Sequence, residues 1–382
     1  QGTRTIAYLD VQDSNNVNST AINAVGTNSV SSGNNTNWTF ATTITSFSPT
    51  FGGTNTSVTI VGTNFTETSA VTFGGTDASS FTVNSSTQIT AIVGSGATGT
   101  INVTTPEGIF TSSTNFTYRA VVPGTYYVNV STGDDSNDGS SGAPWKTLHH
   151  AITQINDGSS GTYVLHVALG DYNLANEEAN TQIVLSQSLV TVIGASGSAP
   201  VLNGTGFQYW TTGIEITGSN VTLRNLHVTG FSDANDIGIK SDTGSGNRVE
   251  NCNVYGNYEA ISVYMSNDCT IKACEIYNNT DDGISMTDST GGTITENTIY
   301  NNVGTNSDGI VIKGCSPEVS RNKLYDNRFN ISVEANSTKT ASPTIKNNLI
   351  YEITPGSSSK VSYGIIIGGS GTVSPKIYHN TI

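Results

Sequence analysis

The sequence predicts an all-β protein in which a β-sandwich is followed by a long β-solenoid. Only 12% of the residues are charged and 41 of 382 are Gly, which leaves little material for exposed amphipathic helices. Apolar and polar residues alternate through residues 44–118, as in half-buried strands. From Ser219 onward a unit of roughly two dozen residues repeats itself, and such a period is typical of a solenoid.

Length and charge limit the number of domains and the classes of binding partner. A chain of 382 residues is long enough for two or three domains. The formal net charge of −14 with only 15 Lys and Arg argues against nucleic acid or an anionic membrane as partner. Neutral glycans, cations and other proteins remain as candidate partners. No run approaches the roughly 20 apolar residues of a membrane span, and we expect a signal peptide to have been removed or to lie outside this sequence.

Residues 1–43 are predicted to be a β segment. RTIAYLDVQDS (4–14) has the composition of a strand, and SSGNNTNWTF (31–40) ends in a pattern similar to the closing segment of another solenoid. The sequence ends at KIYHNTI (376–382) in the middle of a repeat. An uncovered solenoid end can add strands, so we expect copies of the chain or neighbouring domains to cover the open ends.

Residues 44–119 carry a specific set of motifs. These are Ser48-Pro49, the strand and turn VTIVGTNF (58–65), the hairpin FGG at Phe73 and the alternating strands that follow. The segment resembles an IPT/TIG domain, which implies an immunoglobulin-like β-sandwich. The resemblance also implies a spacer or interaction module of bacterial surface proteins, and no residue of this segment indicates catalysis.

Residues 120–382 are predicted to form the solenoid, beginning with a strand, a turn and one helix at about 144–156. Trp145, Leu148, Ile152 and Ile155 have helical spacing, and Pro144 suits the first helical position. A solenoid's first coil leaves its core open, so we interpret this helix as a cap.

Each later unit contains a first strand, a turn and a second strand. The second strands begin at Gly238, Ala260, Gly283, Gly309, Asn330 and Gly364. The uneven steps between them place the extra residues in loops. Alternation predicts the inward-facing side chains of these strands. They are Ile239 and Ser241, Ile261 and Val263, Ile284 and Met286, Ile310 and Ile312, Ile331 and Val333, and Ile365 and Ile367.

Two further columns of residues occur at fixed repeat positions. Asparagines that can bond to backbone and to each other form a ladder at Asn297, Asn322, Asn348 and Asn380, with Cys252 and Cys274 in the two preceding units. Tyrosines recur at Tyr255, Tyr277, Tyr300, Tyr325 and Tyr351. We interpret the tyrosines as a packing ladder, with a platform for sugars as the alternative.

The opening strand, turn and helix and the later units together resemble secreted right-handed parallel β-helix proteins of the pectate-lyase-like superfamily, over about residues 124–382. The resemblance implies a fold and an extracellular or cell-surface location. Many members act on polysaccharides, through Ca²⁺ with a basic residue or through paired carboxylates.

The candidates for such chemistry are Glu259, Asp282 and Asp308, which precede successive second strands, with Lys240 as a candidate base. They should lie in one column and raise one another's pKa unless a cation lies between them. Asp-Gly turn chemistry is the simpler explanation of the two aspartates. The Asp-rich signatures of the hydrolases of this superfamily are absent.

The densest acidic loop is GDDSNDG, in which Asp134, Asp135, Asn137 and Asp138 are candidate Ca²⁺ ligands. A solvated turn before the cap helix is the alternative. No cofactor is required by any motif. The four cysteines, Cys252, Cys269, Cys274 and Cys315, lack the spacing of a zinc or redox motif and are predicted to be core residues. Cys252 and Cys274 are expected either to bond or to stack as thiols.

We therefore expect an extracellular structural or adhesive surface protein that assembles end to end into a stalk or filament. A polysaccharide lyase, epimerase or hydrolase, or a glycan-binding β-helix, is the alternative. An enzyme needs long loops around the carboxylates, and the largest insertions, at 304–307 and 354–362, are small. A phage or pilus-like fibre component is a third possibility.

Overall fold

The structure is a computed structural model that describes most of the chain. The described residues are 10–17, 22–24, 30–33, 38–39, 41–118, 122–156, 160–173, 175–177, 182–197, 199–206, 212–304, 307–335, 339–352 and 363–382. The chain divides into two compact units, residues 1–122 and 123–382. Within the described residues, no helix is both long enough and apolar enough to cross a membrane.

The first unit begins with four short strands. They are β1 (Asp10–Gln12), β2 (Ile22–Asn23), β3 (Val30–Gly33) and β4 (Trp38–Thr39). β1 pairs with β3 and β2 pairs with β4, and both pairs are parallel. The strand expected at 4–14 is described only from Asp10 onward, and the remainder of it lies outside the described residues.

The rest of the first unit is a two-sheet sandwich. Its strands are β5 (Thr43–Ser48), β6 (Phe51–Gly52), β7 (Ser57–Thr63), β8 (Ala70–Phe73), β9 (Thr76–Asp77), β10 (Ser80–Ser85), β11 (Gln88–Ile92), β12 (Gly99–Thr105) and β13 (Gly108–Tyr118). One sheet has the order β10-β11-β7-β5 and the other β6-β13-β12-β8-β9. The alternating apolar residues of both sheets meet in one core, where the rings of Phe73 and Phe116 lie 5.0 Å apart. This is the arrangement that the alternation predicted.

The described residues of the second unit form one helix and many short strands. Its first elements are β14 (Thr125–Val128), α1 (Leu148–Ile155), β15 (Tyr163–Val167), β16 (Asp171–Asn173), β17 (Ile183–Leu185), β18 (Val190–Gly194), β19 (Val201–Asn203), β20 (Thr212–Ile216), β21 (Thr222–Arg224), β22 (His227–Thr229), β23 (Ile237–Asp242), β24 (Arg248–Glu250), β25 (Asn253–Tyr255) and β26 (Glu259–Tyr264). The later elements are β27 (Thr270–Lys272), β28 (Glu275–Tyr277), β29 (Ile284–Thr287), β30 (Thr293–Thr295), β31 (Thr298–Tyr300), β32 (Asp308–Lys313), β33 (Glu318–Ser320), β34 (Lys323–Tyr325), β35 (Phe329–Ala335), β36 (Thr344–Lys346), β37 (Leu349–Tyr351), β38 (Tyr363–Gly369) and β39 (Lys376–Tyr378).

These strands form three parallel sheets of ten, eight and eight strands, and each complete coil adds one strand to each sheet. The first sheet has the order β14-β15-β18-β21-β24-β27-β30-β33-β36-β39, the second β16-β19-β22-β25-β28-β31-β34-β37, and the third β17-β20-β23-β26-β29-β32-β35-β38. Equivalent residues of successive coils are direct neighbours, as Val254, Ile276 and Ile299 are in the second sheet. The repeat in the sequence is therefore the coil of a solenoid.

The solenoid core consists of the inward-facing columns that alternation predicted. The predicted inward residues of β23, β26, β29, β32 and β35 are buried. The predicted inward residues of β38 differ, because Ile365 is only half-buried and 49% of the surface of Ile367 is exposed. In the described part of the chain, β38 pairs on one side only, with β35.

The helix begins later than predicted. It spans Leu148–Ile155, and its N-cap is Thr147, whose side chain accepts a hydrogen bond from the His150 N–H. The predicted start at Pro144 was wrong. Trp145 is not helical, because it forms a parallel bridge with Val128, and its ring stacks on Tyr126 with centroids 5.0 Å apart.

Candidate functional site

Three carboxylates lie at equivalent positions of consecutive coils, where the chain enters the third sheet. Glu259 and Asp308 are the first residues of β26 and β32, and Asp282 lies just before β29. The in-register pairing of these strands places the three residues in one column, here called the carboxylate column (Glu259, Asp282 and Asp308). The Oδ1 atom of Asp282 accepts a hydrogen bond of 2.8 Å from the Asp308 N–H.

The carboxylate column is largely buried, and this burial is the first cause of its raised pKa values. Desolvation raises the pKa of Glu259 to about 7, that of Asp282 to about 8 and that of Asp308 to about 7. Repulsion from Asp281 adds to the rise in all three pKa values. Glu259 Oε1 and Asp308 Oδ1 are buried without a hydrogen-bond partner among the described residues. A proton on the carboxyl group removes the charge that burial disfavours, so we expect the column to be partly protonated at neutral pH.

Lys240, the candidate base beside the column, is held in ion pairs. Its Nζ lies 3.0 Å from Glu215 and 2.6 Å from Asp242. Burial lowers the pKa of Lys240, but the hydrogen bonds with Asp242 and Glu215 outweigh burial and leave this pKa raised. A lysine that stays protonated cannot accept a proton, so the geometry does not favour Lys240 as a base.

The acidic loop uses its side chains within the turn and at the helix. Each of the four candidate Ca²⁺ ligands is hydrogen-bonded to nearby protein groups. The partners are Ser136 for Asp134, Thr147 for Asp135, Pro144 for Asn137 and Ser140 for Asp138. No group of three or more His, Cys, Asp or Glu residues that could hold a metal occurs in the described ranges. These contacts are those of a structured turn that also caps the start of α1.

Glu177 is a buried carboxyl that the sequence patterns did not single out. Its two oxygens accept hydrogen bonds from the N–H groups of Leu148 at 2.8 Å and His149 at 2.9 Å. Burial raises its pKa to about 7, and the two N–H groups lower it only in part. Glu177 therefore satisfies the first turn of α1 from a distant part of the sequence. No local motif signals such a contact.

The first asparagine ladder (Asn297, Asn322, Asn348 and Asn380) runs along the solenoid axis. Each Nδ2 donates to the Oδ1 of the next residue, at 2.9, 3.0 and 2.9 Å. The same Oδ1 atoms accept the backbone N–H of the preceding ladder residue, at 3.0, 3.0 and 2.9 Å. Each step therefore joins two coils through side chain and backbone together.

A second asparagine ladder (Asn257, Asn279, Asn302 and Asn327) follows the second sheet, and sequence reasoning missed it. Its amide-to-amide hydrogen bonds measure 3.3, 2.8 and 3.0 Å. All four side chains are buried. The signal was present, because each of these asparagines stands two residues after a tyrosine of the repeated column.

The tyrosine ladder (Tyr255, Tyr277, Tyr300, Tyr325 and Tyr351) is a continuous stack of rings. Neighbouring centroids lie 5.0, 5.0, 4.8 and 5.1 Å apart, and the first three ring pairs are inclined by only 5°. Both faces of each interior ring are covered by neighbouring rings. A sugar stacks on an aromatic face, so the geometry favours packing over the alternative of a sugar platform for the interior rings.

Comparison with known families matches a part of each unit. Residues 212–382 match the family model of the right handed beta helix region, and residues 42–119 match that of the IPT/TIG domain. The chain contains a right-handed β-helix and an IPT/TIG domain. The β-helix is the solenoid of three parallel sheets, and the IPT/TIG domain is the β-sandwich. Both parts of the predicted fold are thereby confirmed.

Among solved structures, the chain is similar at low sequence identity to several enzymes. A rhamnogalacturonan lyase is 16% identical over 67% of this chain and 87% of its own, with a TM-score of 0.45. The pectate lyase Pel9A is 18% identical over 68% and 80%, with a TM-score of 0.41. A pectin methylesterase is 13% identical over 61% and 81%, with a TM-score of 0.42. Such similarity transfers no activity. Among curated proteins, no sequence matches the chain.

Proposed function

We propose that this chain is an extracellular structural and adhesive protein, in which the β-helix is a stiff stalk and the IPT/TIG domain is a spacer. The observation that carries the proposal is the set of three ladders: two of asparagine and one of tyrosine. Each links successive coils by contacts that the three sheets do not provide. Bending the β-helix at a laddered coil would break buried amide hydrogen bonds, which is costly in a low-dielectric interior.

The adhesive part of the proposal concerns the polar edges of the ladders and the outer faces of the sheets. The tyrosine rings are half-buried, and their outer edges offer hydroxyl groups, while Asn253 and Thr298 lie beside them on the same face of the second sheet. Hydroxyl and amide groups suit hydrogen bonding to neutral glycans. The net charge of −14 makes polyanionic glycans poor partners in the absence of a bridging cation.

Immunogold electron microscopy of the source cells tests the location. Antibody raised against residues 123–382 should label intact cells before permeabilisation. Label that appears only after permeabilisation contradicts the proposal. Negative-stain images of the purified full chain test the assembly, since we propose that copies of the chain join end to end. Single particles at every concentration would remove that part of the proposal.

A polysaccharide-active enzyme is the second candidate, and the carboxylate column is the observation that favours it. A carboxyl with a pKa of about 7 or 8 can donate a proton to a leaving group at neutral pH. Coils stack about 4.8 Å apart, so we expect neighbouring carboxyl groups to lie near the separation of about 5–5.5 Å that retaining glycosidases use. The insertion at 354–362, with Lys360, lies outside the described residues, as do residues 305 and 306 of the insertion at 304–307.

Release of reducing sugars or of unsaturated products tests this second candidate. Neutral and acidic polysaccharides would be incubated with the full chain, with and without Ca²⁺. Cleavage that is lost in both Glu259→Gln and Asp308→Asn, but kept in the control Glu334→Gln, would establish the enzyme and displace the structural proposal. If the wild-type chain cleaves no polysaccharide of the panel, the enzyme hypothesis is wrong.

A further inference from the structure

We propose that Cys252 and Cys274 form a disulfide that joins two adjacent coils of the β-helix. In the structure both thiols are free and buried. They lie one residue before Asn253 and Glu275, which are direct neighbours in the second sheet. The two cysteines therefore occupy the same position of successive coils.

The spacing of the coils suits a disulfide. Parallel strands of successive coils lie about 4.8 Å apart, and the Cα atoms of a disulfide are usually about 4.4–6.8 Å apart. Both side chains are buried at this shared position of neighbouring coils. Consistent with their proximity, hydrogen bonding from Cys274 lowers the pKa of Cys252, while burial raises the pKa of Cys274.

The position of the pair in the first asparagine ladder gives the second argument. The Cys274 N–H donates to Asn297 Oδ1 at 2.9 Å, and the Cys274 thiol donates to the Val249 carbonyl at 3.4 Å, as the asparagines do in later coils. A thiol has one weak donor where an amide has two strong ones. The ladder thus loses its amide bonds at two consecutive coils, and a covalent bond between those coils replaces them.

The other two cysteines have different neighbours. Cys269 Sγ lies 3.2 Å from Ser266 Oγ, and Cys315 Sγ donates to the Met286 carbonyl at 3.1 Å. We therefore expect these two thiols to stay reduced. The chain would carry one disulfide and two free thiols.

The reaction is thiol–disulfide exchange with a small-molecule disulfide such as oxidised glutathione. One cysteine thiolate attacks the glutathione disulfide, forms a mixed disulfide and releases one glutathione thiolate. The second cysteine thiolate attacks the protein sulfur of that mixed disulfide and releases the other glutathione thiolate. The two protein thiols lose two protons and two electrons, and the oxidant becomes two glutathione thiols. Exchange occurs during folding, before the coils bury the sulfurs.

Intact mass after refolding tests the proposal. The reduced, unfolded full chain would be refolded with oxidised and reduced glutathione and then alkylated under denaturing conditions. We expect two alkylated thiols rather than four. Cleavage after Arg248 and Lys272 leaves Cys252 and Cys269 in one peptide, so the cross-link is mapped in the variant Cys269→Ser. We expect it to join peptides 249–272 and 273–313.

The variant Cys252→Asn is the matched control, because asparagine fits this column. It should show no cross-link and three alkylated thiols. Reduction should lower the melting temperature of the oxidised wild-type chain by about 5 °C, given the stabilisation expected for a loop of this length, and should leave that of Cys252→Asn unchanged. Four alkylated thiols, or a cross-link that includes Cys315, would overturn the proposal. If refolding fails, the same alkylation is applied to chain secreted by an oxidising host, where two alkylated thiols support the proposal and four overturn it.

Discussion

At the scale of single residues, the β-helix is held by polar side chains that are buried and fully bonded. Asn322 is the clearest example. Its Oδ1 accepts from the N–H and Nδ2 of Asn297, and its own Nδ2 donates to the Ile294 carbonyl at 2.8 Å and to Asn348 at 3.0 Å. A buried amide of this kind stabilises the fold mainly because its removal leaves several groups without partners.

Asn322→Ala should lower the free energy of unfolding by about 3 kcal/mol, because buried donors and acceptors in three coils lose their partner. Asn253→Ala is the matched control, since Asn253 is half-buried on the outer face and makes one long bond of 3.3 Å to Glu275. We expect this control to change stability by less than about 0.5 kcal/mol. Urea denaturation, monitored by circular dichroism, measures the free energy of unfolding of both variants. Equal effects of the two substitutions would argue against a ladder that stabilises the coils.

At the scale of elements, the columns behave as units because each member contacts the equivalent residue of the next coil. The tyrosine ladder packs ring on ring, and the carboxylate column places like charges in neighbouring coils. The first arrangement stabilises the stack, whereas the second destabilises it when the groups ionise.

Tyr300→Ala should lower the free energy of unfolding by about 2 kcal/mol, because the ring stacks on two neighbours at 5.0 and 4.8 Å. Tyr300→Phe keeps both stacking contacts and removes only the 3.2 Å hydrogen bond to Glu275. The free energy of unfolding of Tyr300→Phe should therefore stay close to that of the wild type. Chemical denaturation compares the three proteins. A Phe variant as unstable as the Ala variant would show that the hydroxyl group, rather than the ring, carries the effect.

The carboxylate column should make the protein less stable as the pH rises. Its three carboxyls have folded-state pKa values raised to about 7 or 8, so the folded state binds protons more tightly than the unfolded chain. The stabilisation from protonation is complete below the ordinary carboxyl pKa of about 4 and is lost as the pH rises through 7 and 8.

Melting temperatures at pH 5, 7 and 9 measure this loss. Asp282→Asn keeps the acceptor for the Asp308 N–H and removes one titrating group. The loss of unfolding free energy between pH 5 and pH 9 should therefore be smaller in this variant than in the wild type, by on the order of 2 kcal/mol, and its melting temperature should fall less. Asp171→Asn, on an exposed side chain, is the control and should leave the profile unchanged. A wild-type protein that is more stable at pH 9 than at pH 5 would contradict the raised pKa values.

At the scale of the whole molecule, the β-helix is quasi-one-dimensional, because each coil contacts mainly the coils before and after it. Its three sheets have strands that are paired on both sides along most of their length. Stability in such a solenoid is approximately a sum over coils and the contacts between them.

Hydrogen exchange should therefore be slowest in the interior coils and fastest in the last one. Backbone amides of β27 to β33 lie between paired strands, whereas β38 and β39 pair on one side only within the described part of the chain. Exchange followed by mass spectrometry should show much earlier deuterium uptake at 363–382 than at 270–320. Uniform protection along residues 222–382 would instead indicate that the β-helix opens as one cooperative unit.

The repeat, the fold class and most columns of the β-helix could be predicted from the sequence alone. Parallel strands in register make equivalent repeat positions into neighbours, so Tyr277 and Tyr300, or Asn322 and Asn348, are assigned without coordinates. Contacts that do not follow this period required the tertiary structure. Glu177 bonds α1 from a remote segment, and the burial of Asp308 depends on how the coil encloses it. Repeats predict which residues adjoin, whereas burial and remote partners depend on the whole chain.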